Sequence, residues 1–455
     1  MRDAVLTVLV LGALPFCFLR PWIGVLVWVW LSMMNPHKLT WGFAQDMHFH
    51  QLVAIATIAG LLLTRDRKPI PWNAAIVILI ILMLWYTATT FSAWTPVNAW
   101  EQWDKVAKIY LMTFVICWLI FGRERIRAVL LVAALSIGFY GFKGGIFSIL
   151  TGGVHRIWGP DNTFIGDNTA IGLAMAMVLP LLIFLAREEK KVWLRRFLYV
   201  TAGLTCISIP LTYSRGALLG LAAVLPLIFL KTNKKFLIIL LLLPIGYFGK
   251  DLVPEGLFQR AETIQTYAQD QSALQRLQAW SVAWNVAKDY PLTGAGFNFE
   301  AADDSLRWLS YAAPEYSPID DPKFRQARAA HSIWFQVLGQ HGFVAFGLFV
   351  AMLALTMLHL QRLKNATQNN LDAKWIHTYA SAMQIGMIAY LVCGTFLSLA
   401  YFDLMYLYVA ATALLQRELK AMGLPEERGR RALGRPALKP KQLALEKSAR
   451  LTDLR

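Results

Sequence analysis

"RQARAAHSIWFQVLGQHGFVAFGLFVAMLALTML", residues 325–358, joins two unlike kinds of sequence. Before it lie charged, aromatic and Pro/Gly-rich pieces. From Ile333 onward the chain is apolar over a length that can cross a bilayer, for which about 17–25 such residues suffice. An imidazole, His331, and two guanidiniums, Arg325 and Arg328, stand at the junction. Other apolar blocks fill 74–91, 128–150, 171–185, 197–211, 216–230, 236–248 and 380–399. Several are shorter than a bilayer is thick and need tilt or polar flanks. With 57 % hydrophobic and 16 % charged residues, and a mean hydropathy of +0.46, a soluble domain has nowhere to hide this surface. The pattern predicts an all-α polytopic protein of a bacterial inner (cytoplasmic) membrane.

The first twenty residues, "MRDAVLTVLVLGALPFCFLR", have a weak positive end and no small-x-small cleavage site. They read as a retained helix rather than a signal peptide. Cys17, Cys117, Cys206 and Cys393 all fall inside apolar blocks. Isolated buried cysteines act as small hydrophobes, so neither a disulfide nor a metal site is expected. The net charge of +16 is expected of cytoplasmic loops facing anionic lipid, not of a nucleic-acid binder.

Basic connectors at 65–69, 122–127, 187–196, 231–235, 359–365 and after Leu415 alternate with aromatic, acidic or Gly-rich ones. The second set is 92–105, 151–168, 212–216, 250–331 and 399–404. Lysine and arginine excess marks the cytoplasmic side. This gives ten crossings from residue 65 onward, with the second set in the periplasm. Arg20-Pro21 splits residues 4–19 from 22–34, and 50–64 supplies another crossing. A cytoplasmic N-terminus makes 4–34 a broken or partly re-entrant pair that crosses once, for about twelve transmembrane helices. Thirteen, with Met1 outside, is the alternative. The expected domains are a transmembrane region 1–249, a periplasmic helical loop domain 250–331, transmembrane helices 332–417, and a basic, disordered cytoplasmic tail 418–455. Within the loop domain, 272–289 reads as a helix with Leu277, Trp280, Trp284 and Ala287 on its apolar face. Pro291, Gly294 and Gly296 end it.

Four outer residues are candidates for chemistry. Arg215, in "TYSRGALLG", opens a returning helix, where free N–H groups and the positive dipole end favour an anion. Its planar fork suits phosphate; the plainer reading is a snorkelling anchor. Arg156 follows a Gly pair and precedes a Gly-Pro turn, and reads equally as a phosphate contact or a loop residue. Arg276, taken alone, is an ordinary exposed helix residue. His331 is the sharpest candidate, because a neutral imidazole takes a proton from a hydroxyl near neutral pH. His155 is its rival. His37, His48 and His50 cluster near the first helices without a metal-site spacing. The pairs Asp303-Asp304 and Asp320-Asp321 read as turn residues. No Walker loop, H-E-x-x-H or G-x-S-x-G occurs, so no ATP, metal, cofactor or covalent nucleophile is expected.

"SRGAL" (214–218), "LQRLQAW" (274–280), "PLTGAGFNF" (291–299) and "HSIWFQVLGQHG" (331–342) resemble pieces of one family, in the same order. They are similar to the first arginine, second arginine, glycine turn and histidine-to-glycine helix of the O-antigen ligase and polymerase family. The likeness runs over roughly residues 150–360. "RPWIGVLVWVWLSMMNPHKLTWGFA" (20–44) resembles its O-glycosylation ligase subgroup. The resemblance implies a glycosyltransferase of the GT-C type that takes a glycan from undecaprenyl pyrophosphate at the periplasmic face, without metal. It carries Arg215, Arg276 and His331 over as active-site positions. It leaves the acceptor open: a lipid A–core sugar for a ligase, a repeat unit for a polymerase, or Ser and Thr for a protein O-oligosaccharyltransferase. The ligase is ranked first because the external loop is one compact block.

Pyrophosphate is already a good leaving group, so positive charge beside it matters more than a general acid. A transporter is the competing class. Transporters place ionisable residues near the bilayer midplane. Here only Lys143 and Asp403 fall inside apolar blocks, both near an outer end, and no two-fold repeat is visible.

Overall fold

The computed structural model describes residues 1–231, 271–301, 305–317 and 321–425, and all its regular elements there are helical. The 236–248 block, Arg260, Asp303, Asp304, Asp320 and the tail beyond residue 425 lie outside the described residues. The long helices are α1 (Arg2–Leu19), α2 (Pro21–Met34), α3 (Phe49–Leu63), α4 (Ala74–Phe91), α5 (Pro96–Leu119), α6 (Gly122–Leu150), α7 (Asn168–Glu188), α8 (Val192–Ser208), α9 (Arg215–Leu230), α10 (Gln271–Asp289), α11 (Ile333–Thr367), α12 (Lys374–Gly394) and α13 (Asp403–Ala421). Six of them, α1, α4, α6, α7, α11 and α12, are long and apolar enough to cross a membrane by length and composition. Shorter apolar helices α2, α3 and α9 pack among them. The chain is a polytopic all-α membrane protein.

Helix α7 runs through the middle, buried almost throughout, with α6, α8, α9 and α12 around it. Lipid tails are as apolar as leucine, so close backbone approach at small residues holds such helices together. A Cβ on Gly172 would lie 2.6 Å from the Ala217 Cβ, and one on Gly220 would lie 2.1 Å from the Cys393 Sγ. One on Gly386 would lie 2.6 Å from the Met177 carbonyl oxygen. Tyr408 also donates across the gap to that carbonyl at 3.0 Å.

The connectors gather at two ends. Lys68 N–H donates to Trp118 O at 2.9 Å. Arg417 reaches Cys117 O at 3.0 Å and Pro69 O at 3.2 Å. These bonds define a basic end. At the other end, which we call the loop end, Ile157 N–H donates to Leu211 O at 3.0 Å and Trp94 N–H to Ala295 O at 2.8 Å.

The first three helices depart from expectation. Arg20 leaves helical geometry (φ −131°, ψ 76°) and Pro21 starts a new helix. Asp3 Oδ1 accepts from Gly42 N–H at 3.0 Å and Ala44 N–H at 3.1 Å, beyond the far end of α2. So α1 and α2 are antiparallel, and Met1 lies at the same end as residues 35–48. A Cβ on Gly60 would meet Phe18 O at 2.2 Å, which brings α3 against the turn. A single broken crossing does not describe this hairpin.

Helix α10 confirms the predicted 272–289 element within one residue, but of the expected face only Ala287 is fully buried. Ala279, Val282, Ala283, Val286 and Ala287 are buried, while Trp284 is 47 % exposed. The small residues win because the backbone must come close: a Cβ on Gly339 would lie 2.9 Å from the Ala283 Cβ. The tryptophans flank the seam. Trp280 stacks on Phe335 at 5.0 Å, and Trp284 meets Phe343 edge-on at 5.7 Å. Ala279, Val282, Val286, Ala295, Phe299 and Trp308 form a small core of their own above the bundle.

Helix α11 is two helices joined at a kink. Gly342 takes φ 73° and ψ −173°, and residues 333–341 end there. A Cβ at Gly342 would lie 2.5 Å from the Pro291 carbonyl oxygen. Phe343 N–H donates to that same oxygen at 2.8 Å. The 291–296 turn thus caps the first segment, with Ala295 and Gly296 N–H groups donating to Gly339 O and Gln340 O at 2.9 and 2.8 Å. Residues 333–341 lie along the loop end. Ile333 packs on Gly394, Trp334 donates to Thr395 Oγ1 at 3.0 Å, and Tyr401 donates to Gln340 Oε1 at 2.8 Å. His331 therefore opens the short segment 333–341, which the kink at Gly342 sets apart from the rest of α11.

Candidate functional site

Three helices begin at one place at the loop end. Asp167 caps α7, its Oδ1 accepting from Thr169 N–H at 2.6 Å and Ala170 N–H at 2.8 Å. Asn168 Nδ2 donates to Thr212 O at 2.7 Å, tying that cap to the turn before α9. Ser214 caps α9 through Ala217 N–H at 3.2 Å, which makes Arg215 its first residue. Gly216 packs on the Cys393 carbonyl and Phe396 at the end of α12, and Ile333 packs on Gly394 beside them. Ser332 precedes α11 without a side-chain cap. The first N–H groups of a helix have no partner inside it and carry the positive end of its dipole. Their convergence makes a region that attracts anions.

Arg156 is delivered by the folded 151–167 loop. Gly152 and Gly153 turn it with φ of 66° and 75°, and Tyr213 donates to Gly153 O at 3.0 Å. The Arg156 guanidinium lies 5.5 Å from the Trp158 ring and 5.7 Å from that of Tyr213. Tyr213 itself sits in left-handed backbone, φ 56°. Arg276 comes from α10, one turn before Trp280, so both share a face. Trp280 Nε1 donates to Ala330 O at 2.7 Å, next to His331. Gln278 Nε2 holds Phe324 O at 3.0 Å and Ser317 Oγ at 3.1 Å, which fastens α10 to the segment leading to His331.

His331 has φ 45°. A non-glycine residue there is uncommon, and such strain gathers at functional sites. Its ring stays accessible, though protein crowds it on most sides. That crowding pushes its pKa below the ordinary 6.5; Arg276 and Arg328 lower it further, and Asp167 opposes them. The imidazole is therefore neutral at pH 7. Arg276, Asp167 and Arg328 all stand within electrostatic reach of it.

The structure thus brings Arg276 to His331 and Arg156 to the Arg215 turn, and sets the starts of α9 and α11 against the same end of α12. His155 is exposed, with its ring against Phe147 at 5.6 Å. His37 and His50 meet edge-on at 4.9 Å. Burial and His50 lower the His37 pKa to about 4. Sequence reading missed Asp167, although an Asp before an apolar helical run is a cap signal. It also missed Tyr213, whose backbone strain has no sequence signature. Glu300, beside the glycine turn, was missed too; burial raises its carboxyl above the usual range.

Comparison with known families gives two matches. Residues 1–190 match a family of unknown function (DUF5935). Residues 200–350 match the family described as O-Antigen ligase, a span that includes Arg215, Arg276 and His331. No curated protein matches the chain. The second match, over about a third of the chain, supports a likeness to the O-antigen ligase and polymerase family.

Proposed function

We propose that this protein acts as a member of the O-antigen ligase and polymerase family and moves a glycan from undecaprenyl pyrophosphate to a sugar hydroxyl of lipid A–core. The reaction takes place at the periplasmic face of the inner membrane, on a GT-C-like helical architecture, without metal. One observation carries the reading: the starts of α7, α9 and α11 converge, with Arg215 on one and Arg276 and a neutral His331 alongside.

The donor pyrophosphate sits against the helix N-termini, with Arg215 and Arg276 as its principal cations and Arg156 as a third. Preorganised charge of this kind acts on the negative charge that grows as the leaving group departs. His331 faces the acceptor. Its imidazole takes the hydroxyl proton as the acceptor oxygen bonds to the anomeric carbon. The bond from that carbon to the pyrophosphate oxygen breaks in the same step, and undecaprenyl pyrophosphate leaves. A single displacement inverts the anomeric configuration.

The test is transfer by purified protein in liposomes, with lipid-linked glycan and lipid A–core, with and without EDTA. Product of inverted configuration, formed equally in EDTA, is expected. Loss of transfer in EDTA, restored by one divalent ion, would sink the metal-free mechanism. The surface glycolipid of a null strain separates the acceptors. Free core with accumulated lipid-linked polymer indicates a ligase, core bearing one repeat a polymerase, and unchanged glycolipid with under-glycosylated proteins a protein transferase.

A further inference from the structure

The basic end holds a group of cations that the proposed chemistry does not use. Lys364, near the end of α11, is only 8 % exposed. Its ammonium donates to Gln361 Oε1 at 3.1 Å and to Gln384 Oε1. Gln384 Nε2 donates back to Gln361 Oε1 at 3.0 Å, which locks both amides with their oxygens toward the ammonium. The Lys231 side chain, just past α9, stands close enough to the Lys364 ammonium for each charge to act on the other. His377 anchors its ring to the Lys364 carbonyl at 3.1 Å and feels both lysines. Arg187 donates to the Lys231 carbonyl at 3.0 Å. Among the described residues neither lysine ion-pairs with a carboxylate. The nearby Glu188 is engaged by Arg123 at 3.2 Å and Thr378 at 3.1 Å.

A lysine near a helix C-terminus offsets the dipole there. That role is met by one ammonium at each helix end, Lys231 after α9 and Lys364 on α11, but gives no reason for the two to stand side by side. Like charges repel more where water is scarcer, and the Lys364 ammonium is partly buried. An anion between them turns the repulsion into attraction on both sides. Leu230, next to Lys231, is 69 % exposed and offers apolar surface of the kind an acyl chain covers. The positive-inside pattern assigns this end to the cytoplasmic leaflet, whose surface is anionic.

We propose that Lys231 and Lys364, with His377 beside them, form a phosphate-binding site at the basic end, occupied by an anionic phospholipid headgroup or by free phosphate. It does not depend on the proposed transferase reading. The site is read by thermal unfolding of the full chain in detergent, titrated with phosphatidylglycerol, with phosphatidylcholine, and separately with inorganic phosphate against chloride at matched ionic strength. Phosphatidylglycerol is expected to raise the unfolding temperature of the wild type, and phosphatidylcholine not. Lys231→Gln, an exposed substitution that leaves the buried amide lock in place, should weaken the titration roughly fivefold, the worth of one lysine near an anionic surface. Lys364→Gln should weaken it at least as much. A shift with phosphate alone assigns the site to the free anion; a shift with lipid alone assigns it to the headgroup. Dipole compensation alone predicts that the variants unfold earlier in every detergent while the titration midpoint stays put. That result, or no shift in the wild type with either anion, overturns the proposal.

Discussion

Arginines serve the two ends of the bundle differently. At the basic end Arg127 pairs with Glu189, Arg123 with Glu188 at 3.2 Å, and Arg125 with Asp66 at 2.6 Å. Arg417 is spent on the carbonyls of Pro69, Cys117 and Ile120. These charges are neutralised on the spot and pin one helix end to the next. At the loop end Arg156 lies over two aromatic rings instead, and Arg307 lies 3.9 Å from the Trp94 ring. A ring face positions a guanidinium without cancelling its charge. Ring contacts occur at both ends, as with Arg125 over Phe121 at 4.1 Å, so it is the Asp66 carboxylate beside Arg125 that sets it apart from Arg156 over Trp158 and Tyr213.

The sharpest way to break this contrast is at His331. His331→Ala should lower turnover about 10²–10⁴-fold, the usual worth of a positioned base, while expression and binding of the lipid pyrophosphate survive. His331→Gln, which still hydrogen-bonds, should recover part of the loss if orientation matters most. His155→Ala should do little. Wild-type transfer by a folded, donor-binding His331→Ala protein would remove His331 from the mechanism and make His155 the next candidate.

Arg215→Lys should cost on the order of 10²-fold in transfer, as loss of one oriented donor does. A lysine keeps the charge but not the planar fork. Arg307→Lys, at the same end but stacked on Trp94, should stay near wild type. Equal rates for the two variants would mean that net charge, not geometry, serves the site.

At the basic end the expected effect moves from activity to stability. Glu189→Ala leaves Arg127 without its carboxylate in a half-buried setting, at a cost of about 1–3 kcal/mol. The midpoint of chemical unfolding should fall, while transfer per folded molecule stays unchanged. A drop in turnover without a drop in stability would erase the distinction between the two ends.

How much of this was legible in the sequence follows from how local each signal is. Apolar length and the alternation of basic and aromatic connectors are local, and they gave the helical membrane class and the two ends. The α10 helix was found for the same reason, but its buried face was not. Large aromatics look like core until one knows that Gly339 must pass against Ala283, a contact between segments far apart in the chain. The α1–α2 hairpin was misread because Arg20-Pro21 reads equally as a break or a turn; Asp3 bonding to residues 42 and 44 decides it. Gly342 reads as one more small residue in an apolar run, yet its backbone splits α11 and sets the segment after His331 apart from the rest. The candidate residues Arg215, Arg276 and His331 were singled out by motif order. Their meeting depends on Thr212, Cys393 and Gly394, which carry no motif.

Asp167 offers the smallest and most specific test. It does two things at once: its Oδ1 caps α7, and its charge opposes the lowering of the His331 pKa. Substitution separates them, because asparagine caps a helix as well as aspartate does, whereas alanine loses about 1 kcal/mol. Asp167→Asn should therefore fold like the wild type. Without the carboxylate, burial, Arg276 and Arg328 act on His331 unopposed and its pKa falls further. A base with a lower pKa stays neutral to lower pH, so the acid limb of kcat/KM, which reports the free enzyme, should move toward lower pH. The plateau rate should change little, since a weaker base is still deprotonated there. Asp167→Ala should show the same shift together with a lower unfolding midpoint. An acid limb that stays in place in Asp167→Asn would mean either that His331 is not the group that titrates or that Asp167 does not act on it. Repeating the profile with His331→Gln decides between these: if the limb persists there as well, another residue sets it.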